Sequence, residues 1–160
     1  MGVNLSKGQR VSLDKAMTMA MVGLGWDTNQ YDGGYDFDLD AAAFLLGENG
    51  KVLQDTDFVF YNNLETRDGA CVHTGDNLTG EGDGDDEVIL LNLAKMPKEV
   101  QKIAITVTIH DAVNRRQNFG QVSNAYVRVA KMASENDMNG EEVLRFDLVA
   151  NLGGGLGLLL

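Results

Sequence analysis

Acidic side chains and glycines alternate in one short segment, GDNLTGEGDGDDE, which runs from Gly75 to Glu87. Its thirteen residues contain six carboxylates and four glycines. Two unit charges about 4 Å apart repel by about 4 kcal/mol at an effective dielectric constant of about 20, so the carboxylates would separate unless a cation neutralised them. The glycines allow the backbone to curl and to turn several oxygens inward. Because Ca²⁺ takes about six to eight oxygen ligands in flexible geometry, this composition predicts a calcium site.

A second acidic segment, YDGGYDFDLD, lies upstream and ends at Asp40. Its Asp36, Asp38 and Asp40 alternate with apolar residues, so in a β-strand the three carboxylates share one face. Such a face could also be an ordinary solvated surface, as could an isolated acidic loop. If the face lies against the downstream segment, the two segments form one site, which Asn62 or Asn63 could close. Two acidic segments predict more than one calcium ion.

Neither segment matches the EF-hand pattern. Asp36, Asp38 and Asp40 occupy the first, third and fifth positions of such a loop. Ala41 then stands where glycine is required, and Gly47 stands where a bidentate glutamate binds. A register that begins at Asp83 fails as well, because valine falls at the glycine position. The sequence therefore predicts a different calcium-binding fold.

The net charge of −11 lies in the first 95 residues, which carry 17 acidic and 6 basic side chains, whereas the remaining residues carry 7 of each. This distribution argues against nucleic-acid binding, which needs concentrated lysine and arginine. The chain of 160 residues has no long apolar run and no signal-peptide-like N-terminus. It has one cysteine, Cys71, so no internal disulfide is possible. These features predict a single cytoplasmic domain.

Short runs of apolar or alternating residues dominate the rest of the chain and predict β-strands. The first contains Met17, Met19 and Met21 and is expected to end in a turn at Gly23. Turn signals such as Asn49-Gly50 and Asn139-Gly140 separate the runs and predict hairpins. We predict a mainly all-β, antiparallel β-sandwich, with short helices only after Pro97 and at Ala112–Asn118. The further runs are Ala41–Leu46, Phe58–Tyr61, Val88–Leu93, Ile103–Ile109, Ala125–Ala133 and Val143–Val149.

Other chemistry has little support in the sequence. Cys71 and His73 would point to the same side of a strand, but a lone Cys-x-His is a weak zinc signal, and a buried structural cysteine is the simpler interpretation. His110 follows an apolar run and is interpreted as an edge residue. Arg115 and Arg116 form the sharpest basic spot, which could be a partner contact or a solvated turn. The chain has neither a Walker lysine after its glycines nor a Gly-x-Ser-x-Gly motif.

Four strings together resemble the TerD family of tellurium-resistance and stress proteins: GLGWD (23–27), YDFDLDAAAFLL (35–46), HTGDNLTGEGDGDDE (73–87) and RRQNFGQVSNAYVRV (115–129). The resemblance implies a calcium-binding β-sandwich in a bacterial cytoplasmic protein. It also implies a link to tellurite, for which composition and spacing give no sign. The metal ligands that it carries over are Asp36, Asp38, Asp40, Asp76, Asn77, Glu81, Asp83, Asp85, Asp86 and Glu87.

The resemblance implies one TerD-like domain over residues 1–152. Residues 153–160, GGGLGLLL, are expected to lie outside the fold as a truncated or non-native end, so that the last strand of the family is missing. The expected function is that of a calcium-dependent interaction module without catalytic activity, with other stress or tellurium-resistance proteins as partners. The alternatives are a tellurite-reducing thiol enzyme using Cys71, a hydrolase, or a module that associates with membranes through calcium. No aromatic-rimmed apolar loop favours the membrane alternative.

Overall fold

Two β-sheets make up the part of the chain that the computed structural model describes, which is residues 3–4, 17–27, 38–75, 85–110, 124–133, 141–147 and 155–159. Within these residues one sheet has seven strands and the other has four. The predicted mainly β fold is confirmed. The strands are β1 (Val3–Asn4), β2 (Met19–Gly25), β3 (Leu39–Leu46), β4 (Phe58–Val59), β5 (Glu65–Thr66), β6 (Cys71–His73), β7 (Glu87–Asn92), β8 (Lys102–Ile109), β9 (Tyr126–Met132), β10 (Glu141–Asp147) and β11 (Gly155–Leu159).

The seven-stranded sheet has the order β1-β10-β9-β2-β7-β6-β5, and the four-stranded sheet has the order β11-β8-β3-β4. Neighbouring strands are antiparallel except for β1, which runs parallel to β10. Along the chain β3 and β4 belong to the smaller sheet, whereas β2, β5, β6 and β7 belong to the larger one. The upstream acidic segment therefore joins β2 of the larger sheet to β3 of the smaller one, whereas the downstream segment joins the neighbouring strands β6 and β7 of the larger sheet. A hydrogen bond from Ala41 of β3 to Glu87, the first residue of β7, brings the ends of the two segments near each other.

The main core lies between the two sheets and follows the two-residue period of the strands. In β8, Ile103, Ile105, Val107 and Ile109 point inward, while Thr106 and Thr108 point outward. A second cluster of buried apolar residues includes Met19, Met21, Val88, Ala130 and Met132. It lies on the opposite face of the larger sheet, because in β2 the alternating residues Ala20, Val22 and Leu24 belong to the main core.

Three of the strand predictions need correction. The first strand does not end at Gly23 but runs to Gly25, because β9 pairs with it as far as Gly25 and β7 as far as Leu24. The predicted strand Phe58–Tyr61 is only two residues long, since the chain turns at Tyr61 and the backbones of Phe60 and Asn63 pair with each other. The segment excluded from the fold contains β11, which pairs with β8 and extends the smaller sheet. Lack of periodicity did not prevent pairing, because the ladder bonds are made by the backbone.

The turn predicted at Asn49-Gly50 is present. Gly50 has φ 78°, and its N–H donates to Gly47 O at 3.0 Å in the turn after β3. Pro97 begins a single turn, which Val100 N–H closes at 3.1 Å. Two short 3-10 helices, Asp55–Asp57 and Arg67–Gly69, were not predicted. The predicted helix at Ala112–Asn118 and the predicted turn at Asn139-Gly140 lie outside the described residues.

Candidate metal centre

Asp38 and Asp40 meet His110 at one end of the smaller sheet. β3 and β8 pair in antiparallel register with Leu39 opposite Ile109, so the residue before β3 lies beside the residue after β8. The His110 N–H donates to Asp38 O at 2.7 Å and fixes this corner. One ligand atom from each of the three side chains lies within 4.8 Å of the other two. Asp38 is buried, Asp40 is half-buried and His110 is exposed.

These separations allow one cation to contact all three side chains. Two carboxylates provide the hard oxygen ligands that Ca²⁺ prefers, and an imidazole is a more usual ligand of transition metals. The donors of Asp38 and Asp40 therefore fit the predicted calcium ion. Asp36 belongs to the same predicted set but lies outside the described residues. His110 was not predicted as a site residue, because its proximity to Asp38 follows from strand pairing and not from spacing in the sequence.

The second acidic segment is described at its two ends only. Asp76, Asn77, Glu81 and Asp83 lie outside the described residues, and their predicted role as ligands stays a prediction. The three acidic residues at the C-terminal end are described, and each of them contacts a different part of the protein. These contacts anchor the end of the segment to both sheets.

Asp85 lies against the outer face of the larger sheet, where it contacts β9. Arg128 donates to its carboxylate from Nε at 3.0 Å and from Nη2 at 2.7 Å, and the Tyr126 hydroxyl donates at 2.9 Å. Hydrogen bonding to Asp85 raises the pKa of Arg128, although burial acts in the opposite direction. The Tyr126 pKa is raised, first by burial and then by its bond to Asp85. In this structure the Asp85 carboxylate therefore binds protein donors.

Asp86 fixes the segment to the end of β2. Its Oδ2 accepts from Trp26 N–H at 2.9 Å, and its own N–H donates to Leu24 O at 2.7 Å. Burial raises the pKa of the Asp86 carboxyl above its usual value. The hydrogen bond from Trp26 lowers it, and the neighbouring charges of Asp85 and Asp27 raise it further. A cation bound near Asp86 would be favoured by these negative neighbours.

Glu87 connects the two acidic segments inside the protein. It is 1% exposed, and its Oε2 accepts from Ala41 N–H at 3.1 Å, directly after Asp40. The same oxygen lies 3.4 Å from Nε2 of His73, which is also buried. His73 Nδ1 accepts from Gly75 N–H at 3.1 Å, so the proton of a neutral ring is on Nε2 and faces Glu87. Glu87 thus connects the two described ends of the downstream segment, and it also contacts the end of the upstream segment.

Asn63 stabilises its own turn through its amide nitrogen. Its Nδ2 donates to Thr56 O at 3.1 Å and to Phe58 O at 2.7 Å. Asn62 is exposed on the same turn. Arg115 and Arg116, the basic spot of the sequence, lie outside the described residues.

Gly23 makes room for Asp85, and a side chain at this position should be costly. A Cβ atom built there would lie 2.5 Å from the Asp85 carboxylate. We expect Gly23→Ala to lower the free energy of unfolding by about 1–3 kcal/mol through overpacking, measured by urea denaturation. In an Asp85→Ala background the same substitution should cost less, because the obstructing carboxylate is gone. Equal costs in the two backgrounds would contradict this explanation.

Cys71 is buried in the main core, and we expect its thiol to be unreactive in the native protein. Burial, with a smaller contribution from the charge of Asp57, raises the pKa of the Cys71 thiol to about 12. The thiolate fraction at neutral pH is then about three orders of magnitude below that of a free cysteine, and labelling by iodoacetamide should slow at least in proportion. The control is the same protein in denaturant. Rapid stoichiometric labelling of the native protein would contradict the expectation.

No helix in the described residues has both the length and the apolar character needed to cross a membrane.

The two sheets and the corner of Asp38, Asp40 and His110 define a β-sandwich protein in which the described ends of the two acidic segments lie close together. The model of the TerD domain family matches residues 1–159. The chain therefore belongs to the TerD family, as its sequence motifs predicted. The matched range includes β11.

Relatives with curated names are similar over most of the chain. The tellurium resistance protein TerD of Serratia marcescens is 58% identical over 151 residues, which cover 92% of this chain and 76% of that protein. General stress protein 16U of Bacillus subtilis (strain 168) is 52% identical with the same coverage. The crystal structure of a homologue of the telluride resistance protein from Streptomyces coelicolor A3(2) superposes with a TM-score of 0.63 at 23% identity. It covers 81% of this chain and 70% of that one, and it supports the fold.

Proposed function

We propose that this protein binds calcium through its acidic segments and acts as a calcium-dependent interaction module in the bacterial response to tellurite and other stresses. The relatives carry the names of tellurium-resistance and stress proteins, which supports this cellular role. The observation that carries the calcium proposal is the convergence of Asp38 and Asp40 within 4.8 Å at one corner of the smaller sheet. The proposed location is the cytoplasm, and the proposed partners are other stress or tellurium-resistance proteins.

Asp38 and Asp40 would hold the ion directly, and Asp36 would add a third carboxylate from the same segment. The ion would supply positive charge where several carboxylates repel one another. Asp76, Asn77, Glu81 and Asp83 are proposed ligands from the downstream segment, which would bind a second ion. Among its described carboxylates, Asp86 is the most suitable ligand, because Asp85 contacts Arg128 and Glu87 is buried between the segments.

Calcium would act by changing charge at one end of the molecule. The net charge of −11 belongs to the half of the chain that contains both acidic segments, and each bound ion would reduce the local negative potential. Partners that the acidic surface repels could then approach. An ion that binds only the folded state also raises stability in proportion to the logarithm of its concentration.

Calorimetric titration with Ca²⁺, combined with thermal melts, tests the proposal. The wild type should bind and melt at a higher temperature in millimolar Ca²⁺. Asp38→Asn and Asp40→Asn should each weaken binding by about tenfold or more, because each removes a charged oxygen ligand. Asp55→Asn is the matched control, since it removes one charge from an exposed residue away from this corner. His110→Ala should leave the calcium affinity unchanged. Absence of both heat and melting shift would refute calcium binding.

The proposed module acts without catalysis, and this distinguishes it from the alternative of a tellurite-reducing thiol enzyme. The only cysteine is buried, and its raised pKa disfavours a tellurite-reducing thiolate. A Cys71→Ser variant should therefore keep full protection against tellurite in cells. Loss of protection by a variant that still folds would favour the thiol enzyme. Sedimentation with liposomes, with and without Ca²⁺, separates docking to soluble partners from membrane association.

A further inference from the structure

A groove of about 480 Å³ runs along the outer face of the smaller sheet. Its floor is made of small residues from two paired strands, because Ala42 of β3 lies opposite Thr106 of β8 and Asp40 lies opposite Thr108. The volume is within the range of about 300–1,000 Å³ that is usual for small-molecule sites. From Asp40 to Phe44 the groove follows five residues of one strand, and the four steps between them span about 13 Å.

One wall of the groove is a stack of aromatic rings. Phe44 and Phe58 stack with centroids 4.4 Å apart and an interplanar angle of 6°, and Phe58 and Phe60 stack at 4.3 Å and 12°. Tyr61 packs against Phe60 edge to face at 5.3 Å and is 39% exposed. The main core does not account for this stack, because the rings lie on the face of β3 that points away from it. Aromatic faces attract both apolar groups and cations.

The polar end of the groove is negative. Asp40 and His110 line it there, and the described lining residues contain neither lysine nor arginine. The carboxylate of Asp38 is within 4.8 Å of both. A ligand that fits the groove thus needs a positive group for the Asp40 end and an apolar or aromatic body for the ring wall.

From this arrangement we infer that the groove binds a small organic cation, an amine with an apolar or aromatic body. Its ammonium group binds at Asp40, and its body lies over Ala42 against the rings of Phe44 and Phe60. The ring faces and the carboxylate both favour the positive charge. This inference does not require calcium binding, but a calcium ion held by Asp40 would occupy the carboxylate that the ammonium needs. The test of the amine site is therefore made in the presence of a calcium chelator.

The test uses four compounds that separate charge from shape: 4-phenylbutylamine, 4-phenylbutan-1-ol, 4-phenylbutyrate and butylamine. Calorimetry and saturation-transfer NMR measure the binding of each in EGTA. We expect 4-phenylbutylamine to bind at least tenfold more tightly than each of the other three, since only it has both the charge and the ring. Equal binding of the amine and the alcohol, or tighter binding of the carboxylate, would overturn the inference.

Variants place the binding in the groove. Asp40→Asn should abolish the preference for the amine over the alcohol, while Asp55→Asn, an exposed residue outside the groove, should keep it. Ala42→Leu should fill the floor and weaken amine binding at least tenfold without any change in charge. Thermal melts show whether each variant folds. If Asp40→Asn fails to fold, the Ala42→Leu variant and the comparison of the four compounds on the wild type still test whether the amine binds in the groove. Unchanged binding by a folded Ala42→Leu variant would place the amine elsewhere and refute the site.

Discussion

Replacing Asp57 with alanine should lower the free energy of unfolding by about 3–5 kcal/mol, one of the two largest effects that we expect for a single substitution in this protein. Asp57 is fully buried at the end of the first 3-10 helix. Arg67 Nε donates to its Oδ1 and Arg67 Nη2 to its Oδ2, both at 2.8 Å. Thr66 Oγ1 also donates to Oδ1 at 3.3 Å. Removing the carboxylate would leave the guanidinium of Arg67, whose side chain is 18% exposed, without its principal partner, and would leave a cavity at the fully buried position of Asp57.

The position of this ion pair explains why its loss should lower the stability of the fold. It joins the 3-10 helix before β4 in the smaller sheet to the β5–β6 hairpin at the edge of the larger sheet. Arg67 has φ 53° and Asp68 has φ 54°, a left-handed conformation that residues with side chains seldom adopt. The bidentate contact with Asp57 holds Arg67 in this conformation. Hydrogen bonding to Asp57 is also the main reason that the Arg67 pKa is raised.

Urea denaturation of matched variants measures the effect. Asp55→Ala lies two residues earlier in the same helix but is exposed, and it should change stability by no more than about 0.5 kcal/mol. A double variant with Asp57→Leu and Arg67→Met should be more stable than Asp57→Ala, because no buried charge is left without a partner. If Asp57→Ala costs no more than Asp55→Ala, the pair does not stabilise the fold.

The strands were predictable because their side chains alternate between a core and a second face. Residues 103–109 show this most clearly, and the structure differs from the prediction there by one residue. The prediction that the first strand ends at Gly23 was wrong, because glycine in a sequence usually indicates a turn. Here the glycine lies inside the strand and leaves space for the Asp85 carboxylate. The C-terminal β11 was missed for a related reason. Its pairing with β8 depends on backbone hydrogen bonds, which leave no pattern in a run of glycine and leucine.

Charge density alone pointed to the two acidic segments as candidate sites, but it could not show which partner each carboxylate contacts. Asp85 contacts Arg128, which is 43 residues away, and Glu87 contacts the backbone of Ala41, 46 residues away. Local spacing cannot distinguish such residues from metal ligands, because every carboxylate in the segment looks the same. His110 shows the opposite limitation. It lies beside Asp38 only because β3 and β8 pair in one particular register.

Substitution of Glu87 should have the second large effect, and it separates a structural role from a role as ligand. In Glu87→Ala, the Ala41 N–H and the His73 Nε2–H would lose the buried oxygen that faces them. Each unsatisfied buried donor costs about 1–3 kcal/mol, so we expect a loss of about 3 kcal/mol or more in the free energy of unfolding. Glu87→Gln keeps an oxygen that can accept from Ala41 and should lose clearly less.

Both Glu87 variants should be denatured with urea in EGTA and again in millimolar Ca²⁺. If Glu87 mainly joins the two segments, Glu87→Gln stays folded, binds calcium with nearly wild-type affinity and gains as much stability from the ion as the wild type does. If its carboxylate is a direct ligand, Glu87→Gln is as stable as the wild type in EGTA but gains little from calcium. The burial of Glu87 and its contact with the residue after Asp40 lead us to expect the first outcome. The second would show that Glu87 is a calcium ligand, as the sequence predicted.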